Sequence, residues 1–257
     1  MKDKVLIIVT YNREPLLKRV LESIDPTQFD DIIIVRDGGG QPYDPAVEKV
    51  VSENFSYLPQ TENIGVGRCK QIGIDHALTT TTSDHIFIIE DDILIKDNKV
   101  WDYYVDFSSR SGVHHTNWND YRYHGSRFEV DYDGIKGIVT KDVEGAFSYF
   151  HRNVFKFCEF PVTMKNAFEH ISVEVQLIEK DLLPPFWYFI CPKDSGDFLE
   201  HIGEESTITG KPNYTENYQE AHTAFVSKHG FNIGQIPDVG DDVVLERLKF
   251  LKETYAK

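Results

Sequence analysis

In its first hundred residues the chain repeats one pattern: a short, continuously apolar run, a turn signal, then apolar residues at helical spacing. A strand that is apolar at every position has no face to turn to water, so most of these runs belong in a parallel sheet covered on both sides. The alternation of strand and helix signals marks βαβ units. Strands are expected at Lys4 to Thr10, Asp31 to Val35, Phe55 to Tyr57 and His85 to Ile89. Helices are expected between them. Glu14 to Ile24 carries Pro15 at an N-terminal position and Leu16, Leu17, Val20, Leu21 and Ile24 on one face. Asp44 to Glu53 is the second, and Gly65 to Ala77 the third, with Ile72, Ile74, Ala77 and Leu78 as its packing residues.

After Asp92 the character changes, because aromatic residues, histidines and glycines become dense between Trp101 and Pro161. That stretch reads as a smaller lobe of mixed or antiparallel strands, including Phe128 to Tyr132 and Gly134 to Thr140 joined by the hairpin signal Asp133-Gly134. Helical patterns follow at Ala167 to Lys180, Glu216 to His229 and Asp241 to Tyr255. With 257 residues, 40% of them apolar, the chain can bury one large core, or one core plus a smaller appended lobe, and a single globular unit is expected.

Forty-two acidic against 27 basic side chains give a net charge of -15, which disfavours nucleic acid as the main partner. Runs such as Val5 to Val9 are far shorter than the roughly 20 residues a bilayer crossing needs, so no transmembrane segment is expected. Met1 to Lys4 lead straight into that run without a cleavage signal, so no signal peptide is expected. Cys69, Cys158 and Cys191 are odd in number and lack metal-ligand spacing, which points to reduced core thiols and a cytoplasmic setting.

The segment that carries most chemistry is the strand at His85, which runs out into Glu90, Asp91 and Asp92. Adjacent carboxylates repel one another and need a counter-charge. At the carboxyl end of a parallel strand, where open α/β sheets place ligands, a divalent cation bridging to a diphosphate supplies it. Taken alone, the triplet reads equally well as a solvated acidic turn.

Four segments in order, VLIIVTYNR at Val5 to Arg13, DIIIVRDGGG at Asp31 to Gly40, ENIGVGRCKQIGIDHA at Glu62 to Ala77, and FIIEDD ending at Asp92, resemble the signature of family-two and related GT-A glycosyltransferases. The Glu-Asp-Asp form of the DXD motif, with Trp118-Asn119-Asp120 downstream, looks more like the N-acetylglucosaminyltransferase I group. The resemblance implies an α/β GT-A fold, a mostly parallel central sheet flanked by helices with a smaller mixed acceptor-side lobe. It implies a single catalytic domain over residues 1–257, made of a nucleotide-sugar-binding half (1–100), an acceptor-binding half (101–212) and a C-terminal helical segment (213–257). It also implies Mn²⁺ or Mg²⁺ as cofactor, a UDP-sugar as donor and a saccharide or glycoconjugate as acceptor.

The matched residues have physical readings of their own. Thr10, Tyr11 and Arg13 follow the first strand, where a ring and polar groups can line a base pocket, or where Asn12 can cap a helix. Asp37 on a glycine-rich turn can accept from a base or a ribose. Gly65 opens a helix whose N-terminal amides favour anionic oxygen. Lys70 falls where the family has Arg, and is either a contact to phosphate or to the DXD acids, or part of a solvated helix face.

Phe168-Glu169-His170, with Glu174 one turn on, resembles the paired-acid element of inverting GT-A enzymes, with His170 in place of the second acid. Either Glu169, which is favoured, or His170 can act as general base. Asp197 to Ser206 resembles the H-I-G-x-x-S element, which puts His201 beside the metal and diphosphate as a ligand with Asp92. His114, His115, Trp118, Tyr121, Tyr123 and His124 form either a stacking platform for a sugar ring or lobe core. Pro184 to Tyr188 reads as packing. Two rivals remain. A nucleotidyltransferase would carry a glycine-rich basic loop after the first strand, which Thr10 to Arg13 is not. A non-catalytic carbohydrate-binding protein would not need the acids and His201.

Overall fold

The computed structural model describes residues 3–39, 41–118, 126–141, 144–165, 167–203 and 213–257. Strands β1 (Lys4–Thr10), β2 (Asp31–Arg36), β3 (Ser56–Pro59) and β4 (His85–Glu90) form where the apolar runs predict them. Helices α1 (Glu14–Ser23), α2 (Pro45–Asn54) and α3 (Val66–Thr80) connect them. The strands are parallel and lie in the order β3, β2, β1, β4. Alternate side chains of each strand enter opposite cores. Val5, Ile7 and Val9 meet Ile33, Val35, Ile86 and Ile88 on the face covered by Cys69, Ile74 and Ala77 of α3. Leu6 and Ile8 meet Ile32, Ile34, Phe87 and Ile89 under Leu17 and Val20 of α1 and Val51 of α2. Each buried aliphatic side chain contributes about 1.5–3 kcal/mol, so period-two alternation between two apolar cores fixes the register strongly.

Beyond β4 the strands become antiparallel, in keeping with the expected mixed character of this stretch. Strand β5 (Ile93–Ile95) leads into α4 (Val100–Ser111), a helix that the aromatic density concealed. Its Trp101 and Tyr104 pack on the same core as Phe87 and Phe147, with the Phe87 and Trp101 rings 5.0 Å apart edge to face. Strand β6 (His115–Asn117) ends the main sheet, β7 (Phe128–Tyr132) and β8 (Ile135–Thr140) form the expected hairpin, and β9 (Phe147–His151) lies antiparallel to both β4 and β6. The hairpin turns through Asp133 and Gly134 at φ of 57° and 93°, the paired left-handed conformation that such two-residue turns require.

Helix α5 (Glu169–Ile178) follows, and β10 (Phe189–Pro192) pairs with β8 to give a three-stranded antiparallel sheet, order β10, β8, β7. A single turn, α6 (Ser195–Phe198), precedes β11 (Leu199–His201), which pairs antiparallel with β5. Helix α7 (Tyr214–His229) sets Ala221 and Phe225 in a third core with Phe168, Val175 and Phe186, and α8 (Asp241–Tyr255) closes the chain. Of the cluster read as sugar platform or lobe core, His115 and Trp118 are buried as core, His115 stacked 4.0 Å from Phe150, while Tyr121, Tyr123 and His124 lie outside the described residues, as do Asn119, Asp120 and Ser206. No helix among the described residues is long and apolar enough to cross a membrane. Cys69, Cys158 and Cys191 are free and buried.

Candidate active site

Because β2 lies on one side of β1 and β4 on the other, the connections diverge at the carboxyl ends of β1 and β4. This is where open α/β sheets bind ligands. Thr10, Tyr11 and Arg13 leave β1 there, and Glu90, Asp91 and Asp92 leave β4. Arg13 reaches Asp91 at 2.5 Å and Asp92 at 2.6 Å. Thr10 Oγ1 donates to Asp91 Oδ2 at 2.6 Å, and the Tyr11 N–H adds a longer contact of 3.4 Å. These three residues therefore grip the acids, in place of the open base pocket that their position in the sequence suggests. Asn12 is no cap either: it sits at φ 56°, and the residue capping α1 is Arg13, whose side chain points to the carboxylates. Burial pushes Asp91 up to about 7, against the pull of Arg13 and Thr10.

His201 is brought to the acids by the β5–β11 ribbon, in which His201 pairs with Ile93 and the Ile202 N–H donates to the Asp92 carbonyl at 2.8 Å. Its Nε2 stands 3.5 Å from Asp92 Oδ2, and the ring is 46% exposed. Three observations bear on a metal. Asp92 Oδ1 is buried without a hydrogen-bond partner. A Cβ at Gly203 would come within 2.7 Å of Asp92 Oδ2, so glycine is what lets the chain pass this close to the Asp92 carboxylate. No group of three or more His, Cys, Asp or Glu side chains among the described residues is arranged to hold an ion. One carboxylate and one imidazole fit a cation of the kind that completes its shell with substrate phosphate and water.

A second charged cluster adjoins the first. Lys70 on α3, 1% exposed, sends its ammonium to Glu90 at 3.0 Å, to the Gly145 carbonyl at 2.9 Å and to Glu169 at 3.2 Å. All three of its N–H bonds are thereby satisfied. Lys70 is thus no solvated helix face, and its ammonium is already committed to carboxylates. Glu169 opens α5 after Phe168, which adopts a left-handed φ of 64°. Burial favours the proton on Glu169, but Lys70 and His170 outweigh it and hold the carboxyl well below the usual carboxylate range. His170 Nδ1 faces Glu169 Oε1 at 3.4 Å.

Asp37 and Gly65 meet one another. The Asp37 carboxylate accepts the N–H groups of Ile64 at 2.7 Å and Gly65 at 3.1 Å, so it braces the loop that starts α3. Gly65 has φ 91°, and a Cβ there would fall 2.6 Å from the Lys165 backbone, so glycine is required by close packing of chain on chain. Sequence reasoning missed Tyr43, a buried ring whose hydroxyl bonds Thr10 Oγ1 and so supports the Thr10–Asp91 contact from behind. It also missed a buried polar cluster in which Glu174 meets Asn117 Nδ2 at 2.6 Å and His115 Nε2 at 3.0 Å. An aromatic residue shortly after the Gly38–Gly39 turn was the available sign of the first. The second has no local sign, because its members lie on different elements.

No curated protein sequence matches the chain. Among solved structures it is similar to the mannosyltransferase PcManGT from Pyrobaculum calidifontis in complex with GDP-mannose and Mn²⁺, at 13% identity and TM-score 0.59, covering 98% of this chain and 69% of that one. It is similar to glucosyl-3-phosphoglycerate synthase from Mycobacterium tuberculosis in complex with Mn²⁺, UDP and glucosyl-3-phosphoglycerate, at 12% identity and TM-score 0.56, covering 93% and 82%. TarS from S. aureus aligns at 12% identity and TM-score 0.51, covering all of this chain and 44% of TarS. These likenesses are of fold, and the fold is GT-A. The profile of glycosyl transferase family 2 matches residues 5–157, which is more than half of the chain and takes in both Thr10 to Arg13 and Glu90 to Asp92. The chain therefore belongs to glycosyl transferase family 2.

Proposed function

We propose that the protein is a metal-dependent, inverting glycosyltransferase that moves a hexose or N-acetylhexosamine from a UDP-sugar to a hydroxyl of a saccharide or glycoconjugate. The observation that carries this reading is the position of Glu90, Asp91 and Asp92 at the β1/β4 divergence, with His201 3.5 Å from Asp92. Asp92 and His201 would hold Mn²⁺ or Mg²⁺, which supplies positive charge to a departing diphosphate. The presence of nucleotides and Mn²⁺ in two GT-A structures of similar fold supports the same ligand class. The resemblance of the Glu-Asp-Asp triplet to the N-acetylglucosaminyltransferase I group is the reason for including N-acetylhexosamine among the donors. Residues 1–100 would form the donor half and 101–212 the acceptor half.

In this reading Arg13 is the counter-charge that keeps Asp91 and Asp92 together, and Thr10 and Tyr43 fix the rotamer of Asp91. Asp37 holds the loop at Gly65 against the donor crevice. Glu90 faces the donor from the end of β4, and the Glu169–His170 pair at the start of α5 removes the acceptor proton. Calorimetric titration of UDP with Mn²⁺ tests the reading. Wild-type protein should bind UDP only with the metal, and Asp92→Asn should lose that binding with its circular dichroism unchanged. Equal UDP affinity and equal Mn²⁺ response in both proteins would remove the donor-site assignment.

A further inference from the structure

We propose that His170, through Nε2, takes the proton from the acceptor hydroxyl, and that Glu169 and Lys70 are positioning residues that hold its ring. This rests on the transferase reading above and assigns one base within it. The two neighbours at the start of α5 have different surroundings. The Glu169 side chain is 6% exposed, and its Oε1 already faces Lys70 Nζ at 3.2 Å and His170 Nδ1 at 3.4 Å. Such a carboxylate, held ionised by a buried ammonium, is a weak proton acceptor at neutral pH. The His170 side chain is 20% exposed, so its ring is open to solvent where the Glu169 carboxylate is not.

The geometry also fixes the ring. A carboxylate facing Nδ1 favours the tautomer with the proton on Nδ1, which leaves the lone pair on Nε2. A separation of 3.4 Å is within the looser range that catalytic pairs show before substrate arrives. Gly145 completes the seat: a Cβ there would stand 2.8 Å from His170 Nδ1, so only glycine lets the ring lie against this loop. The same loop is tied to the donor end, because the Gly145 carbonyl accepts Lys70 Nζ at 2.9 Å and the Ala146 carbonyl accepts the Glu90 N–H at 2.9 Å. Lys70 therefore links Glu90 beside the donor to Glu169 behind the base.

The step balances simply. As the acceptor oxygen bonds to the anomeric carbon, its proton passes to Nε2. The anomeric carbon–oxygen bond to the diphosphate breaks, and its electron pair leaves with the nucleoside diphosphate. The imidazolium that forms faces the Glu169 carboxylate.

The test has a readout that needs no substrate. Nitrogen-15 imidazole spectra of the full chain, with His170→Asn used to assign the signal, should show His170 as the Nδ1–H tautomer. Glu169→Ala, and separately Lys70→Met, should shift it toward the Nε2–H form that free imidazole favours. Turnover is read as hydrolysis of whichever of UDP-glucose, UDP-galactose, UDP-N-acetylglucosamine or GDP-mannose the wild type consumes. His170→Asn should lower it by roughly 10²- to 10⁴-fold while UDP affinity stays unchanged. A wild-type Nε2–H tautomer, or turnover by His170→Asn comparable to wild type, overturns the assignment and leaves the transferase reading standing. Wild-type protein that binds no UDP with Mn²⁺ overturns the transferase reading itself.

Discussion

Lys70→Met replaces a buried ammonium by an apolar side chain of similar length. The lost group is 1% exposed and contacts Glu90 at 3.0 Å, Gly145 O at 2.9 Å and Glu169 at 3.2 Å. Glu90, with 27% of its side chain exposed, can turn to water and adds little to the cost. Glu169 cannot, since its side chain is 6% exposed. Removing one partner of a buried ion pair costs about 3–5 kcal/mol, because the other charge stays behind uncompensated. Against a typical domain stability of about 5–15 kcal/mol, that is a large fraction. Glu169→Gln in the same chain removes the stranded charge, so the double variant should be more stable than Lys70→Met alone, with a coupling of about 1.5–3 kcal/mol.

The pH dependence adds a second signature. In the wild type Glu169 is held below its ordinary value of 4.5, so its contribution to stability is complete above that pH and fades as pH falls beneath it. In Lys70→Met burial acts against only His170 and a backbone hydrogen bond, so the carboxyl should rise above its ordinary value. The stability gap between the proteins should then narrow as pH is lowered from neutral toward 4.5. Urea unfolding followed by circular dichroism at several pH values measures all of this. A loss under about 1 kcal/mol at neutral pH, the size of an exposed pair, with a pH-independent gap, would refute the reasoning.

Three further outcomes are expected. His201→Ala should weaken UDP binding in the presence of Mn²⁺ by roughly tenfold, about 1.4 kcal/mol, in calorimetry; a purely structural histidine would instead lower the melting temperature and leave affinity alone. Gly65→Ala places a side chain at φ 91° and 2.6 Å from the Lys165 backbone, so it should lower the unfolding midpoint in urea by the equivalent of about 1–3 kcal/mol, and an unchanged midpoint would contradict the close approach. Burial, with His151 4.8 Å away, pushes His114 down to about 4 from 6.5, so the unfolded chain binds more protons between these values; stability is complete above pH 6.5 and lost as pH falls toward 4, and His114→Asn should flatten that slope in thermal melts by at most about 1.4 kcal/mol per pH unit.

Sequence alone determined the parallel core. A run such as Val5 to Val9, apolar on both faces, has no stable place except between two covering layers, and the first two helices between the runs start on Pro15 and Pro45 in their first turns. The three carboxylates after β4 were equally legible, because a charge cluster at the end of a buried strand is a local pattern. Strands β5 and β11 were not legible, since three residues carry no periodicity, and it is their pairing that sets His201 beside Asp92. Lys70 is the clearest case of tertiary decision. Within α3 a lysine reads as a solvated helix face, and only partners 20 and 99 residues away in the chain turn it into a buried strap between Glu90 and Glu169. Burying a charge costs several kcal/mol unless opposite charges converge on it, and that convergence is a property of the packed fold.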